Sequence, residues 1–228
     1  MLDANTLRDR RTQWIAISAI LEKTYGYPEW RQHLPPVDEL VSTILSQATS
    51  DGNRDKGFYA LKDKYPDWES VRDAPVKEIE ETIRPAGLAK QKAPRIQSSL
   101  RYITEKTGKL SLGFLEEMSV DDAKAWLTAM EGIGPKTAAI ILCFAFQKPA
   151  FPVDTHVHRV SQRLGLIGET TSADKAHPIM EAIVPQEDYY AAHLNIIRHG
   201  REICKARAPR CVECGLIAHC AYYRVQSR

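Results

Sequence analysis

Residues 121–146, DDAKAWLTAMEGIGPKTAAIILCFAF, read as two helices joined by a glycine turn. Ala123, Leu127 and Met130 share one side of the first helix. In the second, Ala138, Ile141, Leu142 and Ala145 repeat at helical spacing and their neighbours are apolar too, so this helix is expected to be buried on most sides. Gly132 and Gly134 let the chain turn sharply and approach another surface without side-chain obstruction. Pro135 suits the first helical position, where its missing N–H costs nothing. The amides that open the second helix have no intrahelical acceptor. Such a turn can seat a phosphate of a nucleic-acid backbone, or it is simply a tight helical hairpin. GIGPKT does not match the GxxxxGK[ST] of a nucleotide-binding P-loop, and no strand precedes it as a dinucleotide fold requires.

Lys136 follows the turn directly. It stands beside the positive end of a helix dipole, where a second positive charge is disfavoured. Uncharged, its amine can attack an electrophilic carbon; charged, it can contact phosphate. Eighteen residues later, in PVDTHVHR, Asp154 precedes a further segment that fits either period, with Val153, Thr155 and Val157 alternating and Val157, Val160 and Leu164 at helical spacing. A helix is expected, because one short strand would have no partner in this chain. Asp154 or Thr155 then caps it. A capping carboxylate is held rigidly and stays ionised, which is compatible with stabilising a nearby cation or moving a proton. His156 and His158 have no third ligand at a recognisable spacing and are expected to serve packing or phosphate contact.

Outward from this region the chain reads as helices nearly throughout. Val37, Leu40, Val41, Ile44 and Leu45 mark one helical face, and NRDKGFYALKDKYP continues as a helix that Pro66 closes. A shorter helix is expected from about Val76 to Arg84, and a longer one ends at Gly108 with a start that Pro94 obscures. ADKAHPIMEAIV and EDYYAAHLNIIRHGREIC supply the last two. The fold class is therefore all-α.

Five cysteines occur in 228 residues. Cys143, inside AAIILCFAF, is expected to be a small buried hydrophobe. The other four, Cys204, Cys211, Cys214 and Cys220, follow C-x6-C-x2-C-x5-C. Thiolates this close in sequence can converge on one soft metal centre. There is one CxxC where ordinary zinc sites pair two or add histidines. A [4Fe–4S] cluster takes four cysteinates without a second CxxC, and spacing alone leaves both centres open. His219, beside Cys220, reads as a charged turn residue or as a ligand in a zinc variant. The segment from Arg198 onward carries a net charge of +5 against −3 for the rest, a distribution that suits a polyanion-binding surface or a solvated tail. No apolar run reaches membrane-spanning length and the N-terminus has no apolar signal core, so a soluble intracellular protein with no membrane partner is expected.

Taken together, ILSQAT at 44–49, EGIGPKTA at the hairpin, VDTH at 153–156, and HGREIC with the complete cysteine spacing resemble the endonuclease III branch of the helix-hairpin-helix DNA glycosylases. The resemblance implies a two-lobed α protein: a six-helix barrel over 38–148, and a discontinuous [4Fe–4S] cluster domain from 1–37 and 149–228. It implies double-stranded DNA with damaged bases or abasic sites as partner, a monomeric state, and a cytoplasmic location, at the nucleoid in a bacterium. Lys136 resembles the family's nucleophile and Asp154 its essential carboxylate. Gln47 resembles the glutamine that fills the gap left by the extruded nucleotide. The turn at Gly132, Ile133 and Gly134 holds the DNA backbone, and Lys205, Arg207 and Arg210 are candidate phosphate contacts on the cysteine loop. The implied activity is bifunctional: removal of oxidised pyrimidines through a lysine Schiff base, then β-elimination 3′ to the abasic site. A monofunctional mismatch or uracil glycosylase of the same fold, and a noncatalytic DNA-binding module with a structural metal, are the alternatives. Two positions depart from the family's habit, which often has proline where Glu131 stands and a basic residue where Pro135 stands.

Overall fold

The computed structural model describes residues 2–226. The first helix, α1 (Ala4–Tyr25), starts at Asp3, whose carboxylate accepts from the amides of Asn5 and Thr6. Then come α2 (Pro36–Ser46), α3 (Asp51–Lys64), α4 (Trp68–Asp73) and α5 (Val76–Thr82), with Ser50 and Asp67 capping α3 and α4 through their side chains. A single 3₁₀ turn at Arg84–Ala86 leads to α6 (Ala89–Thr107). α7 (Val120–Thr128) begins at Ser119, and α8 (Pro135–Phe146) begins at Gly134. α9 (Thr155–Leu164), α10 (Ala173–Ile183), α11 (Tyr189–Glu202) and α12 (Ala221–Gln226) complete the described chain, which contains no strand. The segment that fitted either period is thus a helix, because the Asp154 side chain satisfies the orphan amide of Val157 at 2.7 Å.

Pro94 lies inside α6, in its second turn, and does not mark the start of the helix. The start is set instead by Leu88, which adopts a left-handed conformation at φ +49° and turns the chain out of the preceding 3₁₀ turn.

The chain divides into two compact units, Gln32–Lys148 and a second built from Met1–Arg31 with Pro149–Arg228. In the first, α2 packs against α8, with α3 and α6 also on α2 and α7 on α8. Leu40, Val41, Ile44 and Leu45 of α2 and Ile141 and Leu142 of α8 are fully buried. At roughly 1.5–3 kcal/mol per buried aliphatic side chain, this pairing anchors the hairpin that leads into α8. In the second unit, Trp14, Ile17 and Leu21 of α1 pack with Met180 and Ile183 of α10 and Ile196 of α11. Val157, Val160 and Leu164 of α9 and Leu216 and Cys220 of the cysteine loop belong to the same core. No helix among the described residues is long and apolar enough to cross a membrane.

Candidate functional site

The hairpin occupies the stretch between α7 and α8. The Met130 and Ile133 amides bond to the carbonyls of Leu127 and Met130, which tightens the turn. Gly132 sits at φ +78°, a conformation that favours glycine. Gly134 is extended, and a Cβ there would meet open space. The Ile133 side chain is buried, so what this residue offers a ligand is its backbone. The first backbone bond into α8 runs from Ala138 to Gly134, which leaves the Lys136 and Thr137 amides without a helical acceptor. Those amides and the α8 dipole make this end of the helix favourable for an anion.

Lys136 is half-buried at the same end, and among the described residues no carboxylate or hydrogen-bond acceptor engages its ammonium. Gln47 closes α2 and reaches the hairpin, its Nε2 donating to the Gly132 carbonyl at 3.4 Å. Arg95 of α6 donates from Nη1 to Gln47 Oε1 at 3.1 Å. Gln47, Gly132, Ile133, Gly134 and Lys136 are thus gathered within one unit. Asp154 belongs to the other.

Asp154 accepts the Val157 amide through Oδ1 and leaves its second oxygen without a hydrogen-bond donor among the described residues. The segment before it is strapped from several helices. Phe151 N–H donates to Glu181 Oε1 at 3.1 Å, and the Phe151 and Pro152 carbonyls accept from the Nδ1 of His177 and of His193, each at 2.9 Å. These partners carried no sequence signal, because they lie 26 to 41 positions away. His156 and His158 point to separate partners. His156 Nδ1 accepts from Arg159 Nη2 at 3.1 Å, and His158 Nε2 donates to the Thr171 carbonyl at 2.7 Å. Burial lowers the pKa of His156, against the pull of Asp154, which fits an acceptor ring.

The four clustered cysteines are free thiols in the second unit. Burial raises the pKa of Cys214, and the charges of Cys204, Cys220 and Cys211 add to it. Cys220 is raised by burial first and feels Cys204 and Cys211 in the same way. The four sulfurs therefore share one electrostatic neighbourhood. Among the described residues, however, no three His, Cys, Asp or Glu side chains form a site for a single metal ion. Donors face the sulfurs: Arg163 Nη1 lies 3.3 Å from Cys204 Sγ, and the Tyr223 amide 3.4 Å from Cys220 Sγ. His199 Nε2 lies 3.6 Å from Cys214 Sγ, with its Nδ1 3.2 Å from the Tyr25 hydroxyl. A guanidinium and an amide aimed at sulfur suit thiolates, so the donor set fits a thiolate-ligated centre. Sequence reasoning missed Arg163 and His199. His199 carried one signal, its place in the last turn of the helix that runs into the loop, and Arg163, on α9, carried none.

Of the basic residues on this loop, Arg210 is engaged by Glu213 through two hydrogen bonds, which raise its pKa. Lys205 and Arg207 are exposed and have no ion-pair partner among the described residues. His219 is a turn residue whose carbonyl accepts from Gln13 Nε2. Cys143 is buried in α8, where desolvation pushes its thiol up to about 12.

Comparison with known proteins agrees with this arrangement. Residues 41–186 match the family described as HhH-GPD superfamily base excision DNA repair protein. Endonuclease III of Thermotoga maritima is 34% identical over 87% of this chain and 88% of its own. A solved non-covalent endonuclease III–DNA complex superposes with a TM-score of 0.82 at 28% identity, covering 100% of both chains. A trapped endonuclease III–DNA covalent intermediate, an estranged-adenine complex, does so with the same score, identity and coverage. By both its sequence and its fold, the chain belongs to the endonuclease III family of helix-hairpin-helix base excision repair DNA glycosylases.

Proposed function

We propose that this glycosylase is bifunctional, acts on oxidised pyrimidines, and uses Lys136 as nucleophile with Asp154 as its carboxylate partner. The observation that carries the reading is the state of Lys136: a half-buried amine at the amide-rich start of α8, with no acid tying it down. The relative trapped as a covalent DNA intermediate supports the same chemistry. The damaged nucleotide must leave the duplex stack before its sugar carbon can be reached. Positive charge then grows on the sugar as the base departs with the electron pair of the glycosidic bond. The free oxygen of Asp154 can stabilise that charge or take the proton that Lys136 must lose. Attack of Nζ on C1′ and opening of the sugar ring give the Schiff base. Loss of a 2′ proton then expels the 3′ phosphate by β-elimination. The hairpin amides hold the backbone without reading sequence.

The four cysteines are the ligands we propose for a [4Fe–4S] cluster. When bound, the cluster supplies a rigid cross-link for residues 204–220. Lys205 and Arg207 then stand ready for phosphate, while Arg210 would first have to leave Glu213. The division at Gln32–Lys148 is consistent with a barrel lobe and a cluster lobe. A monomer acting on duplex DNA in the compartment that holds the DNA is the simplest assembly.

Borohydride trapping on duplexes carrying thymine glycol, dihydrouracil, uracil, a T/G mismatch or an abasic site tests the reaction. A covalent adduct on oxidised pyrimidines that Lys136→Ala abolishes is expected. Base release without any adduct would point to the monofunctional alternative and remove Lys136 from its role. Violet–blue absorption of the purified protein is expected for iron–sulfur; a colourless protein holding zinc would overturn that assignment.

A further inference from the structure

Arg95 is a half-buried cation that no acidic group of the described residues neutralises. Its one hydrogen bond goes to Gln47 Oε1. It also lies flat against the turn: a Cβ built on Gly132 would stand 2.9 Å from both Cδ and Nε of Arg95. The Gln47 amide is therefore held at both ends, by Arg95 at its oxygen and by the Gly132 carbonyl at its nitrogen. A guanidinium only donates and a carbonyl only accepts, so the two neighbours impose the same amide orientation. One Nε2 hydrogen remains unused. The backbone beneath is fixed as well. Ala48, the next residue, is held at φ +51°, a conformation costly for a side chain with Cβ. One turn back along α6, the buried Lys92 donates to the carbonyls of Leu45 and Ala86 at 2.8 and 2.7 Å. α6 thus grips the end of α2 twice, once at the main chain and once at the Gln47 side chain.

We propose that Arg95 is a positioning residue for lesion recognition: it couples Gln47 to the hairpin, so that the side chain entering the vacated space and the turn seating the phosphate act as one rigid piece. The inference rests on the reading of Gln47 as the gap-filling residue. It adds that Gln47 arrives pre-oriented, with an N–H donor free for whatever lies opposite the lesion. Pre-organisation of this kind raises affinity by removing the entropy cost of ordering a long side chain on binding. Because Gln47 touches the gap only when the nucleotide is out, the benefit falls on abasic or extruded sites and not on intact duplex.

The test is equilibrium binding of the full chain to a duplex with a tetrahydrofuran abasic-site analogue and to the same duplex undamaged. Wild type, Gln47→Ala, Arg95→Ala, Arg95→Lys and the Gln47→Ala/Arg95→Ala double variant are compared after thermal unfolding has confirmed their folding. The readout is the preference, the ratio of the two affinities. Arg95→Ala and Gln47→Ala are each expected to lower it by about tenfold, with the double variant no worse than either single one. Arg95→Lys, which keeps charge, reach and a donor, is expected to recover most of the loss. If Arg95→Ala weakens both duplexes equally, or adds fully to Gln47→Ala, Arg95 is a simple charge contact and the proposal fails while the Gln47 reading stands. If Gln47→Ala leaves the preference unchanged, the gap-filling reading falls and takes the proposal with it. Should Arg95→Ala prove unfolded, Arg95→Met, which keeps the aliphatic stem and removes every donor, is paired with Gln47→Ala and decides the matter by the same additivity criterion.

Discussion

The hairpin at 131–134 and the cysteine loop at 204–220 are both short irregular segments suited to meeting phosphate, yet they are held in opposite ways. The hairpin is held by apolar packing: Met130 and Ile133 are buried at its ends, and α8 runs on through Ala138, Ile141 and Leu142. Its candidate ligand groups are main-chain amides, which the fold supplies without help. The cysteine loop has two single 3₁₀ turns, Cys211–Glu213 and Ile217–His219, and exposes Val212 to 96%. Leu216 and Cys220 alone are buried in the shared core. A loop with so few apolar contacts needs another source of order, and the three donors aimed at its sulfurs are where the proposed cluster would supply it. The hairpin is therefore built by the hydrophobic core, whereas the cysteine loop would draw its order from the proposed cluster.

Measurements that separate the two begin with the chemistry. Asp154→Asn is expected to lower base excision by about 10²–10³-fold with little change in melting temperature, because asparagine caps a helix as well as aspartate does. Asp154→Ala should add a stability loss of about 1 kcal/mol. Full base excision by Asp154→Asn would show that only the cap matters. Next, Cys214→Ser should reduce hydrogen-exchange protection across 204–220 by about tenfold or more, while amides of α8 keep theirs. Uniform loss in both regions would erase the distinction drawn here.

Within the hairpin, Gly132→Ala is expected to cost about 1–2 kcal/mol, from its left-handed φ and from the clash with Arg95. Gly134→Ala has neither problem, since a Cβ there meets open space, and should leave the melting temperature unchanged while weakening DNA binding through the proposed phosphate contact of the turn. Equal melting losses would contradict the backbone geometry. The smallest effect concerns Cys143. In the native protein it should resist alkylation at pH 8 even when the other four cysteines are labelled, because burial pushes its thiol up to about 12.

Much of this was readable along the chain. Helical spacing predicted the buried face of α8, and a carboxylate placed before Val157 predicted a cap, because both effects act within one turn. The C-x6-C-x2-C-x5-C spacing marked four cysteines whose thiols do feel one another electrostatically, while the cluster they are proposed to hold awaits its spectrum. Arg95 on Gln47, Lys92 on Leu45 and Arg163 on Cys204 were not readable. Each spans 41 to 48 positions and depends on how helices pack. Arg210 was misleading in the other direction, since its Glu213 partner lies three residues away and quiets a charge that composition counted as free. Pro94 shows the limit of local rules, because packing on both sides of α6 tolerates a residue that usually marks a boundary.

The second unit draws on both stretches of the chain that flank Gln32–Lys148. During synthesis α1 leaves the ribosome first, but α10 and α11, which cover Trp14, Ile17 and Leu21, are made only after the whole intervening unit. At about 5–20 residues per second that delay is on the order of ten seconds. For that interval an amphipathic helix waits with its sticky side bare, while the intervening unit can already collapse. The nascent chain is then a natural client for a chaperone. With the proposed cluster as its source of order, the cysteine loop is the part expected to stay unfinished, beside a finished hairpin, in cells short of iron.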